Sequence, residues 1–163
     1  MTEQNELATY NKEEIVKDTP NFMVVRKADG KFGKIMKYEK LITLEPQTIE
    51  EKKELFSIMN EDDNDKVVPM KDAVGMNLEI VDFFTSPYES LNEDTGETEY
   101  GVTTTIKSTD GMYYVTSSKS VYYSLLAMVN AFGMPHTPDY VPIAFTITST
   151  KQQRGNQINI KLV

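Results

Sequence analysis

From Tyr100 to Lys107 two kinds of position alternate: Tyr100, Val102, Thr104 and Ile106 fall on one face, and Gly101, Thr103, Thr105 and Lys107 on the other. A two-residue period in β-branched and aromatic residues predicts a half-buried strand. Met76 to Phe84, with Leu78, Ile80, Val81, Phe83 and Phe84, predicts a strand before it, ended by Ser86-Pro87. Asp94-Thr95-Gly96 marks the turn between the two. Asp110-Gly111 is a tight-turn dipeptide, and Met112 to Thr116 forms a third strand. The period then changes. Val121, Tyr122, Leu125, Met128, Val129 and Phe132 recur at spacings of three and four, the stripe of an amphipathic helix. Ser118 is placed to cap its first turn and Gly133 to end it in a left-handed conformation. Ile143, Phe145 and Ile147, then Ile158, Ile160 and Leu162, alternate with polar neighbours as two last strands, joined by the turn Lys151 to Asn156.

The order is strand, strand, strand, helix, strand, strand. It is the order of the OB-fold, a five-stranded, partly open Greek-key barrel whose face and hairpin loops hold oligonucleotides or oligosaccharides. The expected fold is therefore mainly β (α+β), a five-stranded OB-fold barrel with a helix between strands 3 and 4. Ahead of it stands an N-terminal strand and helix extension. Asn21 to Lys27 and Lys34 to Leu44 read as two strands around the turn Asp29 to Gly33. Thr48-Ile49-Glu50-Glu51 has the capping-box pattern and opens a helix to Met59. The expected organisation is an acidic flexible arm over residues 1–20, an extension packed on the barrel over 21–70, and the OB-fold domain over 71–163.

Composition narrows the function. The chain has 163 residues, no Cys and one His, so disulfides, thiolate zinc sites and Cys/His pairs are excluded. His136 stands in a proline-flanked loop. No Gly-x-Ser-x-Gly elbow and no Gly-rich phosphate loop ending in Gly-Lys-Ser/Thr occurs. The acidic run Glu61 to Asp65 lacks the glycine and trailing glutamate of an EF-hand loop. A non-enzymatic protein without metal or cofactor is expected. No apolar run reaches the roughly 18 residues that span a bilayer, and Met1 to Tyr10 lacks the apolar run of a secretory signal. These features, with the absence of Cys, point to the cytoplasm. Net charge is −8, unfavourable for a simple basic DNA-binding domain. The charge is uneven, however: residues 21–41 hold six basic and two acidic groups, a basic island in an acidic chain.

About three-fifths of the chain, Pro69 to Val163, resembles the small OB-fold single-stranded DNA-binding proteins of bacterial viruses. The resemblance rests on Met70 to Gly75 before the first strand, Asp94 to Glu97 in the first loop, Asp110 to Ser118, and Phe132-Gly133-Met134-Pro135. It implies single-stranded DNA as partner, bound without strong sequence preference, and a role in protecting replication or recombination intermediates. Many such proteins end in an acidic tail that recruits replication or recombination proteins. Here the last residues are Ile160-Lys161-Leu162-Val163, so that role falls to acidic segments elsewhere, the N-terminal arm first.

Sequence-tolerant binding of a single strand needs cations along the backbone and flat rings for base stacking. Lys107 lies on the polar face of the second strand. Tyr113 and Tyr114 are adjacent and point to opposite faces, so one is expected in the core and one exposed; Tyr113 pairs inward with Val115, leaving Tyr114 for stacking. Lys151 and Arg154 occupy the last hairpin loop, which contains no acid. In the basic island Arg26, Lys31, Phe32, Lys34 and Tyr38 interleave cations with rings, a candidate second platform. The acidic balance supports an alternative, a protein-interaction module such as a viral inhibitor, adaptor or DNA mimic.

Overall fold

A computed structural model describes residues 14–61 and 63–163. The acidic stretch before Glu14 lies outside them. The described residues divide into two compact units, each taken by itself: 14–38 with 89–101, and 39–61 and 63–88 with 102–163.

The first unit contains a three-stranded antiparallel sheet, β1 (Glu14–Asp18), β2 (Phe22–Arg26) and β3 (Phe32–Met36), in the order β1-β2-β3. The hairpin around Asp29-Gly30 is present, but its second strand runs Phe32–Met36 rather than Lys34 to Leu44, taking up Phe32 and Gly33 that were expected in the turn. The strand over residues 14–18 does not: the arm was expected to be flexible through residue 20. The Ile15-Val16 pair gives a strand too short to register as periodicity, and its partner β2 supplies the hydrogen bonds. A register shift between Ile15 and Lys17 marks a bulge.

The second unit is built on a six-stranded curled sheet, a half-barrel, in the order β4-β7-β6-β5-β8-β9. Its strands are β4 (Val67–Pro69), β5 (Asn77–Leu91), β6 (Thr98–Ser108), β7 (Tyr113–Thr116), β8 (Ile143–Gln152) and β9 (Gly155–Leu162). The tip of the β5–β6 hairpin, Glu89–Gly101, belongs to the first unit. The expected five strands and their order are present. The added strand β4 pairs parallel with β7, Val67 opposite Tyr113. Ser86-Pro87 does not end the first barrel strand, which continues to Leu91. The reason lies in which edge Pro87 faces. Thr85 N–H donates to Leu41 O, and Glu39 O, the next acceptor along that antiparallel neighbour, is taken by Thr85 Oγ1 at 2.6 Å, so a residue without an N–H loses nothing there.

Two helices cover the sheet. Helix α1 (Ile49–Asn60) begins with the expected capping box: Glu51 N–H donates to Thr48 Oγ1 at 3.1 Å, and Thr48 N–H to Glu51 Oε2 at 3.2 Å. Helix α2 (Lys119–Phe132) buries Val121, Tyr122, Leu125 and Met128 of the expected stripe, with Val129 half-buried; Phe132, also expected on it, is exposed in the last turn. Gly133 ends it at φ 91°, a conformation that a side chain makes costly. Ser118 is its N-cap residue, but its hydroxyl does not cap. It donates instead to Ile158 O, tying the helix start to β9.

The main core joins α2 to one face of the sheet through Leu78, Ile80, Phe83, Ile106, Tyr114, Phe145, Ile147 and Ile160. A smaller cluster on the other face joins α1 to the sheet through Ile58, Phe84 and Tyr113. The inward positions of β5 change parity between Ile80 and Phe83, so adjacent Phe83 and Phe84 serve different cores.

Candidate nucleic-acid interface

The strand pairing sets the geometry. Thr105 opposes Val115, Ile106 opposes Tyr114, and Lys107 opposes Tyr113. The adjacent tyrosines do point to opposite faces, yet both are only 2% exposed. The expectation that one ring would be free is corrected, because α1 covers the face that would otherwise meet solvent. Tyr114 O–H donates to Asp110 Oδ2 at 2.8 Å, and Asp110 Oδ1 accepts from Met112 N–H at 2.8 Å. Burial, helped by the bond to Asp110, pushes the Tyr114 phenol up to about 12. Burial also takes Tyr113 to about 12, with Glu54 and Asp82 adding to it. These are structural rings, with no open π-face for a base.

Lys107 extends over the Tyr113 ring, its Nζ 5.5 Å from the centroid. It lines a pocket of about 210 Å³ with Glu51, Glu54, Asp82 and His136. Its charge is met there by carboxylates, and the structure does not bring it to Lys151 and Arg154. In the same pocket His136 Nε2 lies 2.7 Å from Asp82 Oδ1, which also accepts from Thr43 Oγ1 at 2.9 Å. The histidine, at φ 66°, therefore fastens the loop after α2 to β5. Among the described residues no group of three or more His, Asp or Glu is placed to hold a metal ion.

The β8–β9 hairpin is tighter than the sequence suggested. Lys151 still lies on β8, opposite Asn156, and Gln152 opposes Gly155, leaving Gln153-Arg154 as the turn. Gly155 takes φ 106°, open to glycine and strained for other residues. Lys151 lies two residues beyond Ser149 on β8 and Asn156 two before Ile158 on β9, so all four share one face. That face borders a groove of about 570 Å³ between the two edges of the half-barrel. Pro69, Met70, Val74, Val115 and Ile158 give it apolar walls; Thr116, Ser117, Ser149 and Asn156 give it hydrogen-bonding groups. Lys71 also lines it, a cation that the sequence reading quoted in a motif without assigning it a contact. Its signal was weak, a single lysine beside an aspartate. Lys71, Lys151 and Arg154 are exposed, and among the described residues none makes an ion pair. No aromatic residue lines this groove.

In the first unit Arg26, Lys31, Phe32 and Lys34 are exposed and Tyr38 is half-buried. Lys31 sits in the β2–β3 turn, where its N–H donates to Asp29 Oδ1 at 2.9 Å. Arg26 and Phe32 are opposite each other in the ladder, with the guanidinium 5.5 Å from the ring centroid.

The chain is 34% identical over 151 residues to the single-stranded DNA-binding protein of Bacillus phage GA-1, an alignment covering 91% of this chain and 88% of that protein. It belongs to the phage single-stranded DNA-binding proteins. That family consists of binding proteins, not enzymes. No family model matches the chain, and no solved structure matches it. Among the described residues no helix is long and apolar enough to cross a membrane.

Proposed function

We propose that this protein binds single-stranded DNA without strong sequence preference and shields replication or recombination intermediates. The observation that carries the reading is the extended similarity to a relative named for that activity. The half-barrel supports it, with an OB-like order of five strands and the helix between the third and fourth. Lys71 lines the groove between the sheet edges, Lys151 shares the strand face that borders it and Arg154 stands in the adjoining turn; together they supply backbone-directed charge. Arg26, Lys31, Phe32, Lys34 and Tyr38 supply a second contact region. Lys107 contributes less, since carboxylates surround it. Tyr114 serves the core rather than a base. Acidic segments are the contact points for replication or recombination proteins, while the net charge of −8 disfavours nonspecific adhesion to duplex DNA.

Fluorescence anisotropy with a labelled oligo-dT tests the reading. Binding that weakens steeply with salt is expected, because cations on phosphates release counterions. Absence of binding at low salt, or equal affinity for duplex and single strand, rejects it.

A further inference from the structure

The groove beside β8 and β9 has charge but no ring, and the two tyrosines of β7 are buried. Base stacking, the second requirement for sequence-tolerant binding, needs another place. We infer that one face of the β1–β2–β3 sheet is a stacking subsite for unpaired bases, formed by Phe22 and Phe32 among Lys17, Arg26 and Lys34. The inference rests on the proposed single-stranded DNA binding.

The register places these residues together. Residues directly opposite in an antiparallel pair share a face. Glu14, Arg26 and Phe32 make one row across the sheet; Lys17, Val24 and Lys34 make the next; Phe22 and Met36 make the third. Cations hold both rings. Lys34 Nζ is 4.1 Å and Lys17 Nζ 5.6 Å from the Phe22 centroid, and Arg26 lies 5.5 Å from that of Phe32. The opposite face carries Ile15, Met23, Val25 and Ile35, with Val25 buried, and one acid at its edge, Asp18, paired with Lys37. The sheet therefore has a mainly apolar side and a cation–aromatic side.

Three features make the second side suit a single strand. Phe32 is 63% exposed, so its outer π-face is accessible. The one described acid of the face is Glu14, held by Arg26 at 3.3 Å, against three cations. The rings stand four residues apart along the strand direction, roughly 13–14 Å at ~3.3–3.4 Å per residue, enough to hold two separate bases with lysines between them for phosphate. A ring already fixed by neighbours loses little conformational freedom when a base settles on it. Neither Lys17 nor Phe22 stood out in the sequence, because the bulge in β1 hides the alignment of Lys17 with Val24 and Lys34.

The chain contains no Trp, so Phe32→Trp introduces a single reporter. Titrating this variant with oligo-dT should quench the tryptophan emission over the concentration range in which anisotropy reports binding. Phe32→Ala should weaken binding by about 5- to 160-fold, equivalent to the roughly 1–3 kcal/mol of one stacked base, with the salt dependence unchanged. Lys34→Ala should instead lower the slope of log K against log salt by about 0.7. Because Phe32 is exposed, matching melting curves serve as the folding control. If the wild type binds oligo-dT while the tryptophan emission stays constant and Phe32→Ala binds as well as wild type, the subsite is refuted and single-strand binding stands. If the wild type binds no oligo-dT, both readings fail.

Discussion

Neutralising the hairpin cations with Lys151→Ala and Arg154→Ala should weaken single-strand binding by an amount that itself depends on salt. Both side chains are exposed and make no ion pair among the described residues; Lys151 shares the face of Ser149 and Asn156, which line the groove, and Arg154 stands in the turn of the same hairpin. If each neutralises one phosphate, the pair contributes about 2 × 0.7, or roughly 1.4, to the slope of log K against log salt. Relative to a 1 M reference, removing that contribution weakens binding by about 65-fold near 0.05 M salt and about 10-fold near 0.2 M. Truncating exposed side chains should change stability by no more than about 0.5 kcal/mol. The assay is anisotropy of labelled oligo-dT at four or five salt concentrations, with thermal melts alongside. A double variant with unchanged slope refutes the assignment of these two residues. A loss that is constant across salt also refutes the reasoning, because it would report altered shape rather than lost phosphate contacts.

Other outcomes follow from the scaffold. Thr48→Ala removes the side-chain half of the capping box and should cost about 0.5–2 kcal/mol in urea unfolding. The Glu51 carboxyl is held below its ordinary value of 4.5 by the N–H groups of Gln47 and Thr48, so its stabilising contribution is present above that pH and is lost as pH falls through the lowered value. Glu51→Gln should flatten that part of the acid limb. Burial is the leading cause that raises Tyr113, Tyr114 and Tyr140 to about 12. Their contribution to stability is complete below pH ~10, the unfolded value, and declines as pH rises toward 12. A spectrophotometric titration should find these three silent at pH 11 and ionising with unfolding; ionisation of all nine tyrosines near pH 10 in the folded protein would contradict their burial. Leu125→Ala, at a fully buried position of α2, should cost about 2–5 kcal/mol by denaturant melt.

Periodicity alone established much of the second unit. The alternations at Tyr100–Lys107, Ile143–Ile147 and Ile158–Leu162 and the stripe from Val121 to Phe132 each correspond to one strand or helix with its inner face largely as read, the exceptions being Leu162 and Phe132, exposed at the ends of their elements. Those signals are strong because one face is buried against a core, and burial selects residues at the period of the element. Capping was legible at Thr48, where partners lie within one turn, but not at Ser118, whose hydroxyl partner is forty residues away in sequence. Strand ends were misjudged at Pro87 because the penalty of a proline depends on which edge its missing N–H faces.

The sequence by itself determined the element order, the inner positions in the middle of β6, β8 and α2, the absence of thiol chemistry and the position of the basic island. Those properties depend on neighbours in the chain and on composition. Only the tertiary structure decided that α1 buries Tyr113 on one face of β7 while the α2 core buries Tyr114 on the other, that Lys107 sits among carboxylates while Lys71 reaches the groove of the β8–β9 hairpin, and that Lys17, Arg26, Lys34, Phe22 and Phe32 share one face. Each depends on which distant segment lies opposite a residue. One-dimensional pattern leaves that open, because a two-residue period says a side chain has two possible faces but does not say what covers either of them.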